Sequence, residues 1–366
     1  MKKAVDILSL IIFLVVCIIS VLFPKHMSFY VIQSLRMCAG TVIPALFPFL
    51  VISRLLSESS VAERAGRIIS PIISVLFGVD KNLCGSFLIG MFAGFPNGAI
   101  STAITYSKGN CSKDCAQRNL ALCNNCSLPF LATIAGVAIL GSVKYGIILI
   151  ASQIMTVFIT SIIIRFCFKK SNACDRYIVK SSIFEKKSKN NLIIKSLKDA
   201  TLNMLYICGL ISVFYTLSGV LCEIFKDRFD LIFITKSLFE VTSAVDMCKS
   251  VPFPLNIVLC SAAIGFSGIC VILQVADICE KYKLSPKYFV ISRFISAVVM
   301  PLCTVILLLL APRDAISVFA GYDAQYYLSS YNIEAITLIY AITLILVMLI
   351  SGLMYCIATV LERNIK

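Results

Sequence analysis

The stretch Gly90 to Ser101, GMFAGFPNGAIS, lies inside an apolar run that begins near Leu83 and ends at Tyr106. A helix that crosses a bilayer carries Leu and Ile at its centre, and here three glycines, a proline and an asparagine stand there instead. Pro96 donates no backbone hydrogen bond, and Gly94 and Gly98 tolerate a chain reversal. The run therefore reads as two half-length helices that enter and leave by one side. This is a re-entrant hairpin whose tip is Gly94, Phe95, Pro96, Asn97 and Gly98. Irregular backbone at membrane depth survives only when buried in protein or lining an aqueous cavity, so the tip implies one of the two. The alternative is that Gly90, Gly94 and Gly98, four residues apart, form a small-residue face for close helix packing.

Outward from this stretch, the chain of 366 residues is 59% hydrophobic with a mean hydropathy of +0.94. Apolar runs fall near 5–23, 28–56, 83–106, 115–140, 144–168, 199–222, 254–279, 287–311 and 335–361. Most are near the length needed to cross a hydrocarbon core. The chain reads as an all-α polytopic membrane protein of the bacterial cell membrane. The first run, behind Met1-Lys2-Lys3, lacks a small-residue cleavage site and reads as a retained helix.

Formal net charge is +14. The segment 169–198 supplies half of it, with nine Lys and Arg against Asp175 and Glu185. Hydrophobic spans flank it on both sides, so it reads as a cytoplasmic loop obeying the positive-inside bias rather than a nucleic-acid site. It also suits anionic lipid. The loop divides the chain into a membrane half at 1–168 and another at 199–366. Seventeen cysteines are scattered through the spans, without the spacing of an extracellular disulfide frame. Cys111, Cys115, Cys123 and Cys126 come nearest to a metal-ligand set, but the first two fall near the membrane surface and the last two deeper. The single histidine, His26, reads as an interfacial side chain.

Two halves suggest a duplication. The run around Gly265, Ser267 and Gly268 pairs with the opening stretch by order, each followed by a Lys-containing polar turn and a long helix. A second hairpin is expected there, with Gln274 two turns further on and able to reach the cavity. The segments before each Gly-Phe run, Val61 to Val79 and Phe233 to Met247, read as helices in the interface plane. In this inverted scheme Lys281, Lys283 and Lys287 face outward, together with Arg363 and Lys366. If both broken runs crossed fully, those lysines would lie inside and the Lys2-Lys3 terminus outside.

Cys115 to Phe130, CAQRNLALCNNCSLPF, begins as a polar helix and meets Asn124, Asn125, Ser127 and Pro129 at mid-membrane. This reads as a broken helix whose freed carbonyls and half-helix amides face a cavity and hold polar groups or ions. Paired asparagines supply donors and acceptors for a neutral polar solute; the alternative makes them interhelical glue. Gln153, Asp277 and Arg293 are further polar residues in or near spans, the last two placed near an interface. There is no Walker loop, no HExxH and no serine triad. No paired acids stand at membrane depth, and no buried acid marks a proton path. The expectation is a non-enzyme with no cofactor and no metal.

The block FLIGMFAGFPNGAISTAITYSKGNCSKDCAQRNLALCNNCSLPF resembles that of the sporulation integral membrane protein YlbJ family, within the wider nucleoside-recognition or Gate domain group. In that family a Gly-Tyr/Phe-Pro-x-Gly turn precedes a Phe/Cys-Asn-Asn-x-x-Pro motif, here Gly94 to Gly98 and Cys123-Asn124-Asn125. Second-half matches are Phe239-Glu240-Val241-Thr242 and Gly265 to Gln274, and the likeness runs from about Leu35 to Val299. The resemblance implies two inverted repeats with interfacial helices, hairpins and broken helices around a midplane site. It also implies a role in endospore formation, in a mother-cell or forespore membrane. The expected function is a carrier or channel-like transporter of a small polar solute or ion, nucleoside-like or other. Asn97, Asn124, Asn125, Ser127 and Gln274 are expected to line its site. The alternative is a scaffold that recruits sporulation membrane proteins, and either form could be a homo-oligomer.

Overall fold

A computed structural model of the chain describes residues 23–58, 61–167, 192–225 and 228–310. The first apolar run, most of the basic loop, the run near 335–361, Arg363 and Lys366 lie outside the described residues.

Helix α1 (Pro24–Met37) passes through a π-helical turn (Cys38–Val42) into α2 (Ile43–Glu58). Helix α3 (Val61–Phe77) follows, and the chain then bends by 116° into a 3-10 turn (Lys81–Leu83) and α4 (Cys84–Ala93). After the Gly94–Pro96 break, with Phe95–Pro96 cis, comes α5 (Asn97–Ser107). Helix α6 (Lys113–Cys123) opens on Ser112, whose hydroxyl accepts the Cys115 amide at 3.2 Å, a normal N-cap. It stops at Asn124, and a wide π-type helix, α7 (Phe130–Ile139), continues beyond the break. Helix α8 (Val143–Cys167) closes the first half.

The second half holds α9 (Leu192–Cys222), α10 (Phe229–Phe239), α11 (Val241–Met247), α12 (Leu255–Phe266), α13 (Gly268–Lys281) and α14 (Lys287–Leu310). Among the described residues, four stretches are long and apolar enough to cross a membrane, namely α8, α9, α14 and the combined α12–α13. The polytopic all-α reading holds.

Helices α4 and α5 fold back on one another. Ser86 Oγ lies 2.9 Å from Thr105 Oγ1 and 3.2 Å from Ser101 Oγ. In one continuous helix residues 86 and 105 would stand nearly 30 Å apart, at 1.5 Å per residue. The opening stretch is thus a helical hairpin, and its glycines also make the close packing that their spacing suggested.

The second Gly-Phe run is not a hairpin, which corrects the sequence expectation. Leu255–Lys281 forms one crossing stretch, interrupted only at Ser267. A single residue at φ 71° breaks the ladder without reversing it, because its amide still donates to Ala263 O at 2.9 Å. The hairpin-like element of the second half lies earlier. Helices α10 and α11 meet at Glu240, whose backbone is extended, and pack together. Phe233 to Met247 is therefore not one helix but is broken at Glu240, which is only 2% exposed.

The halves then run in opposite senses. Helices α4–α5 form a hairpin, α6–α7 a broken pair and α8 an unbroken return; α10–α11, α12–α13 and α14 repeat these parts from the other end. Basic residues mark one end. Ser285 N donates to Gln117 Oε1 at 2.7 Å, and the Arg118 guanidinium lies 5.5 Å from the Tyr288 ring centre. Hence Lys281, Lys283 and Lys287 share an end with Lys108, Lys113 and Arg54, against the expectation that they face the other way. The cause is the through-crossing of α12–α13: a hairpin there would have left them opposite. Tyr145 stacked on Phe253 at 5.5 Å, and Glu223 accepting from Tyr30 at 2.6 Å, mark the other end.

Candidate functional site

The hairpin tip sits on the α6–α7 break. Phe95 N donates to Asn125 O at 2.9 Å, and a Cβ on Gly94 would stand 2.7 Å from Ser127 N. A Cβ on Gly98 would come within 2.5 Å of Cys123 O. Only glycine admits this approach of backbone to backbone. Gln153 on α8 donates to Cys126 O at 2.9 Å. The carbonyls of Asn125 and Cys126 each accept from one protein donor, and Cys126 and Ser127 also line the central cavity.

The second half repeats the relationship. Gly268, at φ 81°, brings its backbone against the α10–α11 tip, where an added Cβ would lie 3.0 Å from Phe239 O. Glu240 caps α11 at that tip. Its carboxylate accepts from the Thr242 amide at 2.8 Å, the Thr242 hydroxyl at 2.7 Å and the Ser243 amide at 2.8 Å.

Arg293 on α14 lies between the two breaks and is 2% exposed. Its Nη2 donates to Asn125 Oδ1 at 2.9 Å, and its Nη1 approaches Ser267 Oγ at 3.4 Å. The guanidinium also stands 5.2 Å from the Phe289 ring centre, and its Nε has no partner. No ion pair joins Arg293 to Glu240 among the described residues. A guanidinium and a carboxyl group are therefore buried on either side of Ser267-Gly268, each held by neutral groups. The expectation that Arg293 lies near an interface is overturned. A charge so placed is costly and points to function.

Where the tips and breaks converge, a cavity of about 40 Å³ is lined by Phe95, Ser127, Glu240, Thr242, Cys270 and Gln274, with apolar walls from the π-helical turn and α9. That is room for an ion with a water or two. Gln274 Nε2 approaches only the Cys270 sulfur, at 3.5 Å.

Of the residues expected at the site, Phe95, Ser127 and Gln274 line this cavity. Gly94, Pro96, Gly98 and Gly268 shape the tip contacts behind it, and Gly265 packs against the Ser296 backbone of α14. Ser267 gives its hydroxyl to Ile264 O at 2.8 Å. Asn97 faces α2, where its Oδ1 accepts from Ser53 Oγ at 2.8 Å. Asn124 Nδ2 donates to Leu120 O at 2.7 Å while its buried Oδ1 has no partner, and Asn125 is engaged by Arg293. The asparagines hold the break in shape and do not line the cavity. Among the described residues no group of three or more His, Cys, Asp or Glu gathers as metal ligands.

Residues 39–170, from the π-helical turn through α8, match the family model Gate, described as nucleoside recognition. Over that stretch, which contains the first hairpin and the first broken helix, the chain is similar to this domain group. No curated protein and no solved structure matches the chain.

Proposed function

We propose that this protein is a membrane carrier of a small polar solute or ion, non-enzymatic, with its guest seated in the central cavity. One observation carries the reading: a buried carboxylate, a carboxamide with no oxygen partner and a hydroxyl face one enclosed space at the meeting of two tips that arrive from opposite ends. Each hairpin is re-entrant from its own membrane face and gates the cavity from that face. Parting the α4–α5 tip from Ser127 opens one side; parting the α10–α11 tip from Gly268 opens the other.

The described state is closed. A guest of nucleoside size needs a site of several hundred Å³, so the 40 Å³ cavity accepts an ion as it stands and a nucleoside-like solute only after one tip withdraws. The similarity to the nucleoside-recognition group supports the larger guest. The resemblance to the sporulation membrane family adds a role in endospore formation, in a mother-cell or forespore membrane.

Reconstitution into proteoliposomes tests this. Uptake of labelled nucleosides, or of sodium or potassium ions, is expected for the unaltered chain and abolished in Glu240→Gln and Gln274→Leu, with both variants still inserting. Uptake that survives both changes, or that never exceeds protein-free vesicles for any of these guests, overturns it.

A further inference from the structure

The two tips are held in different ways. Buried hydrogen bonds sew the α4–α5 hairpin to the elements around it. At the tip, Phe95 N donates to Asn125 O at 2.9 Å, and Ser53 Oγ on α2 donates to Asn97 Oδ1 at 2.8 Å. Behind the tip, Asn119 Nδ2 on α6 donates to Thr102 Oγ1 on α5 at 2.8 Å, and Asn125 Nδ2 approaches the Met91 sulfur on α4 at 3.6 Å. The side chains in these contacts are buried.

The α10–α11 tip answers its polar groups from within. The Glu240 carboxyl takes the Thr242 amide and hydroxyl and the Ser243 amide, and the Glu240 carbonyl accepts from Ser243 Oγ at 3.0 Å. Among the described residues, no hydrogen bond joins residues 239–243 to anything outside this hairpin. The tip rests on Gly268 by close packing alone, where an added Cβ would lie 3.0 Å from Phe239 O. A buried donor or acceptor that loses its partner bears its full desolvation penalty. Withdrawing the α4–α5 tip strands such groups on both sides of its seat; withdrawing the α10–α11 tip strands none of its own.

We propose that the α10–α11 tip is the gate that opens from this closed state, while the buried ties of the α4–α5 hairpin, Ser53 to Asn97 and Asn119 to Thr102, latch the other tip shut. The inference rests on the reading of the tips as gates and adds that the two are not equivalent. The central cavity opens towards the end marked by Tyr145 and Phe253, and not towards the basic end. A unit that lifts with its polar groups intact belongs to the low-energy end of local opening. Cys126 and Cys270 line the central cavity and are buried, so their thiols report which end admits a reagent.

The test labels the full chain in sealed vesicles with a membrane-impermeant maleimide supplied from one end at a time, and follows Cys126 and Cys270 by peptide mass spectrometry. Entry from the end of Tyr145 and Phe253 is expected to be about tenfold faster or more, the equivalent of one buried hydrogen bond that need not break. Ser53→Ala removes a latch donor and should raise labelling from the basic end several-fold, with the other end unchanged. Equal rates from both ends, faster entry from the basic end, or no labelling from either overturns the proposal. Should Ser53→Ala fail to insert, Thr102→Val, which removes the acceptor of Asn119, takes its place. Unchanged labelling from the basic end in the variant that inserts also overturns the latch. The labelling needs no guest: a chain that labels as expected but takes up nothing loses the carrier reading alone, and one that takes up its guest with equal labelling loses only the unequal gates.

Discussion

Arg293 Nη2 donates to Asn125 Oδ1 at 2.9 Å across 168 residues of sequence. One guanidinium on the last described helix thereby holds the broken helix of the first half, and through Ser267 it touches that of the second. The two discontinuities are mechanically one unit.

Removing the acceptor should be costly. Asn125→Leu leaves a buried cation short of its best partner and is expected to lower stability by about 2–3 kcal/mol. Adding Arg293→Met to it should restore much of the loss, since the charge that needed the partner is gone. Thermal unfolding of both single variants and the double variant in detergent measures the coupling. Additive losses would show that the two side chains do not interact.

The α4–α5 hairpin depends on glycine where backbone meets backbone. Gly98→Ala places a methyl 2.5 Å from Cys123 O, and a carbonyl in a packed break cannot swing aside. Loss of the folded species on size exclusion is the expected outcome. Gly209→Ala on α9 is the control, because nothing lies within 4 Å of the added Cβ; it should express as the unaltered chain does.

Much of this was legible in the sequence at its first motif and much less at its second. Pro96 among glycines announces a reversal because both residue types act on the backbone directly, and the hairpin followed. Gly265 to Gly268 carries no proline, and its break rests on one left-handed serine, which composition does not mark. Glu240 and Arg293 were missed for a related reason. A lone charge on an apolar run looks the same whether it lies at the interface or is sealed by the opposite half. The sealing contacts, Gly268 on Glu240 and Asn125 on Arg293, come from distant sequence. Phe239-Glu240-Val241-Thr242 did hold a signal, an acid placed to cap the helix that follows it.

Glu240 has two duties that substitution can separate. Glu240→Gln keeps an acceptor oxygen for the Thr242 amide and hydroxyl but turns its NH2 toward the Ser243 amide, so part of the cap survives and the melting temperature should fall less than in the leucine variant. Glu240→Leu strands those donors and should cost about 2 kcal/mol or more. Both should abolish uptake. A Glu240→Gln variant as unstable as Glu240→Leu would mean that the negative charge itself holds the tip.

Sidedness tests the hairpin most directly. Lys81 precedes α4, Lys108 follows α5, and both are exposed at the basic end with Lys281; Lys144 and Lys249 are exposed at the other. Cysteines placed singly at these five positions in sealed vesicles should fall into two classes towards an impermeant maleimide. Lys81→Cys, Lys108→Cys and Lys281→Cys are expected to share one face, and Lys144→Cys and Lys249→Cys the other. Most native cysteines of the described residues are buried, which slows their own reaction. If Lys81→Cys and Lys108→Cys label from opposite faces, α4 and α5 cross the bilayer as one span. In that case the 2.9 Å contact of Ser86 with Thr105 could not exist in the membrane.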